Sequence, residues 1–192
     1  RQAGQGRAAG CKMTQHSTVI SGSIAERVVN CTGSQDLIAR VGAPDETSPY
    51  AQEGTWLHEI IAGLLTEDPA KQTPVDVDDE QEAALETALR AFDDLIDDLG
   101  DAKVFHVEQS VSWQSVLPGT DAGGTVDVLA RIGDHNLILD WKFGRGVKVS
   151  ARDNHQLLFY AAGALLSWEH FDPDLPTVLA IVQPRVSDEA DV

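Results

Sequence analysis

Two aspartates and a lysine interrupt apolar, strand-like segments of this sequence. Asp127 lies within TVDVLARI, and Asp140 and Lys142 lie within NLILDWKF. Charged side chains are costly to bury unless they are paired or bind a metal. Two neighbouring carboxylates repel each other, and a divalent cation relieves that repulsion. Carboxylate oxygens suit Mg²⁺ or Mn²⁺, which also bind phosphate, so these residue types indicate phosphodiester chemistry.

The spacing of these residues predicts how they lie relative to one another. Asp140 and Lys142 share one face of a strand because side chains alternate with period two. A two-residue turn at 134–135 would place Asp127 opposite Lys142 and diagonal to Asp140. All three charges would then project from one face of the hairpin. The alternative is a buried ion pair of Lys142 with either aspartate.

A strong helical segment, DNHQLLFYAAGALLSWEH, follows this hairpin, and Asp153 is expected near its N-cap. Gln156 and Tyr160 are four residues apart and therefore lie one turn apart on one helix face. An amide and a phenol at these positions would hydrogen-bond a phosphate or support the metal ligands. For Tyr160 taken alone, core packing is the alternative.

The other elements follow from hydrophobic periodicity. Ser23 and Glu26 have capping-box spacing and predict a short helix ending near Asn30. GTWLHEIIAGLL predicts a helix with Thr55 as N-cap, after the loop-like stretch VGAPDETSPYAQEG. TEDPAKQTPVDVDDE predicts a polar linker, and residues 79–99 carry one apolar stripe among acids, which predicts a helix with a solvated acidic face.

Three strands are predicted before the Gln156 helix and one after it. They are VFHVEQSVSW, TVDVLARI, NLILDWKF and, near the end of the chain, TVLAIVQP. The order of helices, three strands, a helix and a strand predicts an α/β fold with a mixed sheet.

The chain of 192 residues with 42% hydrophobic content predicts one ordinary domain with a real core. We expect a disordered leader over 1–15, a single domain over 16–186 and an acidic tail over 187–192. No apolar run reaches the roughly 18 residues of a membrane span. The two cysteines, Cys11 and Cys31, suit neither a disulfide framework nor a zinc site, which favours a reducing, cytoplasmic setting.

The formal net charge of -17 argues against a nucleic-acid partner, but the charge is unevenly distributed. Thirteen acids and two bases lie between Glu67 and Asp101. Four bases and no acid lie between Lys142 and Arg152, directly after the charged hairpin. The acidity therefore belongs mainly to one segment, and the basic segment adjoins the candidate site.

The motifs GTVD, ILDWK and NHQLLFY, in this order, resemble the PD-(D/E)XK nuclease superfamily, and specifically its RecB-like branch with a QxxxY motif. The similarity is greatest to phage-encoded exonuclease-type members, which also carry a GTxxH helix like GTWLH here. It covers roughly Ser21 to Pro184. The resemblance implies a restriction-endonuclease-like αβββαβ core with a mixed central sheet flanked by helices.

The resemblance also implies roles for individual residues. Asp127, Asp140 and the backbone carbonyl of Trp141 would bind Mg²⁺ or Mn²⁺, and Lys142 would be catalytic. The QxxxY residues would contact DNA and support the site. His58 would lie near the metal, with a surface or capping histidine as the alternative, and Glu108 would lie near it or face solvent. Arg145 and Lys148, in the glycine-containing stretch FGRGVKV, would meet phosphates or serve only solubility.

The function implied is a metal-dependent deoxyribonuclease, an exonuclease serving phage recombination or DNA processing. An iron–sulfur cluster of the kind some relatives carry needs four cysteines and is not expected. The partners implied are DNA and a recombinase, a single-strand annealing protein or a helicase, with a homo-oligomer as a further expectation. The alternatives are a non-catalytic DNA- or protein-binding module of the same fold, or a metal-dependent phosphoesterase acting on RNA or small nucleotides.

Overall fold

The computed structural model of this protein describes residues 20–41, 48–66 and 76–192. The predicted leader 1–15 and most of the predicted polar linker lie outside the described residues. Among the helices within the three described ranges, none combines the length and the apolar content that crossing a bilayer requires.

The order of elements is helices, three strands, a helix and a strand, which confirms the predicted α/β class. A four-stranded mixed sheet flanked by helices matches a restriction-endonuclease-like core. A short 3₁₀ turn, Gly22–Ile24, leads into the first helix. The helices are α1 (Ala25–Asn30), α2 (Ser34–Val41), α3 (Pro49–Thr66), α4 (Asp79–Leu99) and α5 (His155–Ser167), and the strands are β1 (Ala102–Ser112), β2 (Gly123–Ile132), β3 (His135–Trp141) and β4 (Thr177–Val182).

The sheet has the strand order β1-β2-β3-β4. β1, β2 and β3 pair in antiparallel fashion, whereas β4 pairs in parallel with β3 after the chain has crossed over through α5. Residues near the end of the chain extend the sheet, because Asp191 forms an isolated antiparallel bridge with Ile181 of β4. The segment expected to be an acidic tail therefore contributes a backbone contact to the sheet.

Helices cover both faces of the sheet. On one face α3 and α4 bury residues such as Leu57, Ile61 and Phe92 against Val128, Leu139 and other strand residues. On the other face α5 buries Leu157 and Tyr160 against Val126 and Ile138. The strands lie between two layers of helices, and this explains why their sequences are apolar at consecutive positions.

Helix α4 agrees with its predicted limits. Its apolar stripe packs into the core, with Leu85, Phe92 and Leu95 buried. At its start, the Asp78 carboxylate accepts hydrogen bonds from the backbone N–H groups of Glu80 and Gln81, while the Gln81 side chain accepts one from the Asp78 N–H. This reciprocal capping box fixes the first turn of the helix.

Two predicted helix starts were wrong. Helix α3 begins at Pro49, because proline suits the first helical position and the Ser48 hydroxyl accepts from the Ala51 N–H. Thr55 lies inside α3, where its hydroxyl donates to the Ala51 carbonyl, so it is not a cap. The remaining part of the predicted loop, 42–47, lies outside the described residues.

The other error concerns α1. Helix α1 begins at Ala25, and its N-cap, Ile24, makes no side-chain capping bond, so the predicted box of Ser23 and Glu26 does not form. Asp153 lies next to the cap of α5, as predicted, and the cap itself is Asn154. Its side chain accepts from the N–H groups of Gln156 and Leu157.

The predicted turn of the β2–β3 hairpin was also wrong. Ile132 pairs with His135, so the two turn residues are Gly133 and Asp134. Gly133 has φ +51°, a conformation that glycine adopts without strain, and its N–H donates to the Asp101 carbonyl at 2.8 Å. A Cβ at this position would overlap the Leu99 carbonyl oxygen at the end of α4. Contact with α4 therefore selects this turn.

Candidate active site

The candidate site lies where β2 and β3 stop pairing. The last ladder pair is Val128 with Leu139, and continuing that register puts Asp127 opposite Asp140 rather than opposite Lys142. At this point the Asp127 carboxylate takes the place of a main-chain acceptor: the Trp141 N–H donates to its Oδ2 at 2.8 Å. Both groups are buried, so Asp127 is held in the plane between the two strands.

The strand pair β1–β2 is distorted at the same level. Glu108, opposite Asp127 in the register, has φ +54°, in the left-handed region that non-glycine residues seldom adopt. Val126 and Val128 are two residues apart, yet they pack in the core clusters on opposite faces of the sheet. The regular alternation of side chains is therefore interrupted at Asp127.

Three elements bring a set of metal-ligand atoms together at this distortion. One ligand atom each from His58 of α3, Glu108 of β1 and Asp127 of β2 lie within 4.8 Å of one another. His58 Nδ1 is 3.4 Å from Asp127 Oδ2. Two carboxylates and an imidazole nitrogen form a donor set that a divalent cation accepts, so this group of side chains could bind a metal ion.

The acids around His58 control its ionisation. Burial of the imidazole lowers its pKa, but the hydrogen bond and charge of Asp127, with the charges of Asp140 and Glu108, outweigh burial and hold the pKa of His58 above its ordinary value. On its other side the His58 ring meets Phe143 edge-to-face, with 5.5 Å between ring centroids. The position of the His58 ring is thus set by the Asp127 carboxylate and by the ring of Phe143.

A second set of side chains joins β3 to α5. The Gln156 Nε2 donates to Asp140 Oδ1 at 2.6 Å, and the Lys142 Nζ donates to Gln156 Oε1 at 2.9 Å. Lys142 Nζ also lies 2.6 Å from Asp140 Oδ2, as an ion pair rather than a well-aligned hydrogen bond. We call these three residues the Asp140–Gln156–Lys142 triad. The amide of Gln156 orients both charged groups at once.

The Asp140 carboxyl is buried among charges of both signs. Burial, followed by the charge of Asp127, raises the pKa of Asp140 to about 6, against the opposing effect of the Lys142 ammonium. Its Oδ2 is buried and contacts the Lys142 Nζ at 2.6 Å. A buried carboxylate beside a second carboxylate is suited to a cation.

Helix α5 positions Gln156 through Asn154 and Tyr160. The Asn154 cap fixes the first turn, in which Gln156 lies. One turn later Tyr160 is buried, and its ring fills the space beside two glycines. A Cβ on Gly22 would overlap that ring, and a Cβ on Gly124 would lie 3.1 Å from it. Tyr160 therefore packs the start of α5 against the 3₁₀ turn at Gly22 and the start of β2.

The remaining predicted ligand, the Trp141 carbonyl, lies near Asp127. The Trp141 N–H donates to Asp127, and in a strand the N–H and C=O of one residue face the same neighbour. The carbonyl therefore lies on the side of β3 that faces Asp127. The indole of Trp141 points away into the core, where it meets Phe92 at 5.8 Å between ring centroids.

The basic segment 142–152 is paired with acids. Arg145 contacts Glu80 of α4 at 2.9 Å, and Lys148 contacts Asp191 at 3.3 Å. Gln183, directly after β4, holds the loop that carries both bases. Its side chain accepts from the Val149 N–H and donates to the carbonyls of Gly144 and Val147. The excess of positive charge seen in the sequence is therefore locally neutralised.

The structure groups the predicted residues more finely than their spacing does. It places His58, Glu108 and Asp127 in one set and Asp140, Lys142 and Gln156 in another, with Tyr160 beneath the second set. Arg145 and Lys148 lie on the neighbouring loop. Sequence reasoning missed the ion pair of Arg185 with Glu53, because the two residues are 132 positions apart and no local pattern links them.

A protein-family comparison covers this whole site. The family model described as "Protein of unknown function (DUF2800)" matches residues 16–191, which include every side chain of both sets. The match spans far more than half of the 192 residues. The chain therefore belongs to the DUF2800 family.

Proposed function

We propose that this protein is a divalent-metal-dependent deoxyribonuclease of the PD-(D/E)XK type, with the features of its RecB-like branch. The observation that carries the proposal is the adjacency of two sets of side chains. The Asp140–Gln156–Lys142 triad adjoins the group of His58, Glu108 and Asp127, because Asp127 and Asp140 occupy opposed positions on β2 and β3. A lysine beside a cation site is suited to phosphodiester hydrolysis.

His58, Glu108 and Asp127 would hold the cation, and the buried Oδ2 of Asp140 and the Trp141 carbonyl are further oxygens beside them. Carboxylates favour Mg²⁺ or Mn²⁺, and the imidazole nitrogen shifts the preference toward the transition metal, Mn²⁺. When bound, such a cation supplies Lewis acidity toward phosphate oxygens and lowers the pKa of water.

Lys142 would meet the phosphate. Its ammonium is held by Gln156 Oε1 and the Asp140 carboxylate, yet the side chain remains 28% exposed, so a substrate oxygen can reach it. A preorganised cation of this kind stabilises the negative charge that grows on phosphorus oxygens during displacement. Gln156 accepts from one of the three ammonium N–H groups and keeps Lys142 in place, which leaves donors for the Asp140 carboxylate and for the substrate.

A simple structural ion pair accounts for less of the site. A pair of Lys142 with Asp140 requires neither the second carboxylate nor an imidazole beside it. It also requires no left-handed residue at Glu108, where such a backbone costs on the order of 1–3 kcal/mol. Strain that persists beside three converging ligand atoms supports a binding site.

The choice of DNA as substrate rests on the flanking bases and on the family resemblance. The pair of Arg145 with Glu80 is half-exposed, and exposed pairs contribute only about 0–1 kcal/mol, so a phosphate can displace the acid. The net charge of -17 makes a partner or an oligomer part of the proposal: a recombinase, a single-strand annealing protein or a helicase would supply grip on DNA. An exonuclease serving phage recombination or DNA processing is the specific form proposed.

Cleavage of end-labelled linear DNA and of closed circular DNA tests this function. Each substrate is incubated with Mn²⁺, with Mg²⁺ and with chelator, using wild type, Lys142→Ala and the matched control Arg152→Ala, which removes a highly exposed cation from the same segment. We expect metal-dependent loss of linear DNA, retained in Arg152→Ala and lost in Lys142→Ala. Cutting of the circle would indicate an endonuclease.

Other results would contradict the proposal. Cutting that persists in chelator, or that Lys142→Ala leaves intact, would remove the assigned site from the chemistry. Hydrolysis of RNA or small nucleotides but not DNA would favour the phosphoesterase alternative. Binding of DNA without cleavage in any metal would favour the non-catalytic module.

A further inference from the structure

A cavity of about 350 Å³ opens beside the end of β3, next to the candidate active site. This volume lies within the range of ligand pockets, roughly 300–1,000 Å³. The cavity borders the site through one side chain, since Phe143 lines it and also contacts the His58 ring at 5.5 Å. Its lining residues are Tyr50, Glu53, Phe143, Gly144, Arg145 and Arg185.

Helix α3 forms a path between this cavity and the metal-ligand group. Tyr50, Gly54 and His58 are four residues apart in succession and therefore lie on one stripe of the helix. Tyr50 and His58 are about 12 Å apart along the axis, at about 1.5 Å per residue, a distance that an extended strand of a few nucleotides can span. Gly54 leaves the stripe open between them, because a Cβ added there would meet no atom within 4 Å.

The charges in the cavity are balanced. Arg185 binds the Glu53 carboxylate at 2.7 Å and donates to the Phe143 carbonyl, and Arg145 binds Glu80. Two arginines thus face two glutamates. Arg185 is almost fully buried against Glu53 and is not free to pair with a phosphate, so this part of the cavity suits a ligand group that is planar, polar and uncharged.

Two features point to such a group. The Tyr50 ring is 75% exposed at the cavity, although aromatic rings of this size are usually covered. The Arg185 side chain is 6% exposed, and its Nε lies 3.6 Å from Glu80 Oε1 without forming a well-aligned hydrogen bond. An exposed aromatic face beside guanidinium groups and a carboxylate can stack a nucleobase and bond its edge.

We infer that this cavity binds an unpaired nucleobase of a nucleic-acid strand, stacked on Tyr50, while the phosphodiester chain passes along α3 to the site at His58. The inference rests on the proposed nuclease function and adds a substrate class to it: a single-stranded segment, or a duplex end that has opened. The nucleobase stacks on the Tyr50 ring, and the phosphates of the same strand lie along the helix stripe over Gly54.

Fluorescence anisotropy of labelled 12-nucleotide strands tests this inference. All proteins carry Lys142→Ala so that cleavage does not interfere, and binding is measured with Mn²⁺ and with chelator. The variants are Tyr50→Ala, Tyr50→Phe, which keeps a stacking ring, and Leu165→Ala, which removes a half-exposed side chain on the distant part of α5. The strands are single-stranded DNA, single-stranded RNA, blunt duplex DNA and a fully abasic DNA of the same length.

We expect Tyr50→Ala to bind single strands roughly 5- to 100-fold more weakly, as the loss of one stacked base predicts. Tyr50→Phe and Leu165→Ala should bind as the parent does. The abasic strand should bind weakly to the parent and be insensitive to Tyr50→Ala. If Tyr50→Ala weakens the binding of both DNA and RNA strands, the pocket recognises the base alone. If it weakens the binding of only one of them, the pocket also recognises the sugar.

The outcomes separate this inference from the nuclease proposal. If Tyr50→Ala leaves single-strand binding unchanged, or if the abasic strand binds as tightly as the normal one, the base pocket is wrong even where wild type cleaves DNA. If the parent binds none of the single strands in either condition, the inference is equally wrong. If Tyr50→Ala weakens binding but wild type cleaves nothing in Mn²⁺ or Mg²⁺, the pocket stands and the nuclease proposal fails.

Discussion

The carboxylate of Asp127 accepts a hydrogen bond from the backbone N–H of Trp141, at 2.8 Å, where the ladder between their strands ends. An acidic side chain thus completes the hydrogen bonding of a buried strand. The same Oδ2 lies 3.4 Å from His58 Nδ1. Asp127 is therefore both a part of the sheet and a part of the candidate metal site, and its two roles respond differently to substitution.

Asp127→Ala and Asp127→Asn separate these roles. Alanine leaves the buried Trp141 N–H without an acceptor, which should cost about 1–3 kcal/mol of the free energy of unfolding. Asparagine keeps an acceptor and should unfold close to wild type. Both variants should lose metal-dependent cleavage by roughly 10²-fold or more. Urea denaturation and cleavage rates check this; an active Asp127→Asn protein would exclude the carboxylate from the site.

Gln156→Ala should weaken cleavage by about 10- to 100-fold without abolishing it, because supporting residues of a metal site have effects of this size. It removes the amide that holds both Lys142 and Asp140. The loss should fall on kcat. In the variant the amide no longer holds Lys142, and the proposed function needs this ammonium mainly in the transition state. Steady-state cleavage rates measure this. His155→Ala on the same helix turn is the control, and an unchanged kcat would reduce Gln156 to a packing residue.

Substitutions of Glu108 separate metal binding from folding. Glu108→Gly and Glu108→Ala both remove a candidate ligand and should weaken Mn²⁺ binding at least tenfold by calorimetry. Glycine suits φ +54° and alanine does not, so Glu108→Gly should be more stable than Glu108→Ala by about 1 kcal/mol. Equal Mn²⁺ affinity in wild type and both variants would remove Glu108 from the metal site.

Asp191 should make the stability of the domain sensitive to acid. The Ala151 N–H bonds this carboxylate at 2.7 Å and, with Ser150 and Lys148 and against burial, holds the pKa of Asp191 below its ordinary value of 3.8. A carboxyl with a lowered pKa in the folded state stabilises it fully above the unfolded value and loses that effect as the pH falls through the folded value.

The advantage of wild type over Asp191→Asn should therefore be constant from pH 7 to about pH 5 and shrink below pH 3.8. Urea unfolding across this range measures the difference. Asp188→Asn is the control. Asp188 is an acid in the same segment, and among the described residues 76–192 its carboxylate makes no hydrogen bond to Ser150 or Ala151. A difference that grows as the pH falls would show that Asp191 acts by another route.

Some elements were predictable because their local signals agree with their tertiary contacts. Helix α4 has one apolar stripe and an adjoining solvated face, and both the stripe and the limits match the structure. Helix α3 was misjudged at its start, since Pro49 and Ser48 act together and the residues after them look loop-like. Capping depends on which competing hydroxyl or carboxylate reaches a free N–H, and spacing alone does not decide that.

The candidate site was predictable in its residues but not in its arrangement. Asp127, Asp140 and Lys142 stand out because charge in an apolar strand is costly. The left-handed backbone of Glu108 has no signature in the sequence, because glutamate rarely adopts it. The exchange of a main-chain acceptor for the Asp127 carboxylate depends on where two strands separate, which is a property of the assembled sheet.

The tight contact of Gly133 with the end of α4 has a consequence for the chemistry about 20 Å away along β2. Shifting the two-residue turn by one residue, to 134–135, would set Asp127 opposite Lys142, and a register shift of one residue would turn every side chain of one strand to the other face. Because only a hydrogen fits against the Leu99 carbonyl, neither shift is available while α4 is docked. The contact at the end of α4 therefore fixes the relative position of the Asp127 and Asp140 carboxylates, although that helix end contributes no residue to the candidate site. A change in the length of this turn would inactivate the site without altering any of its residues.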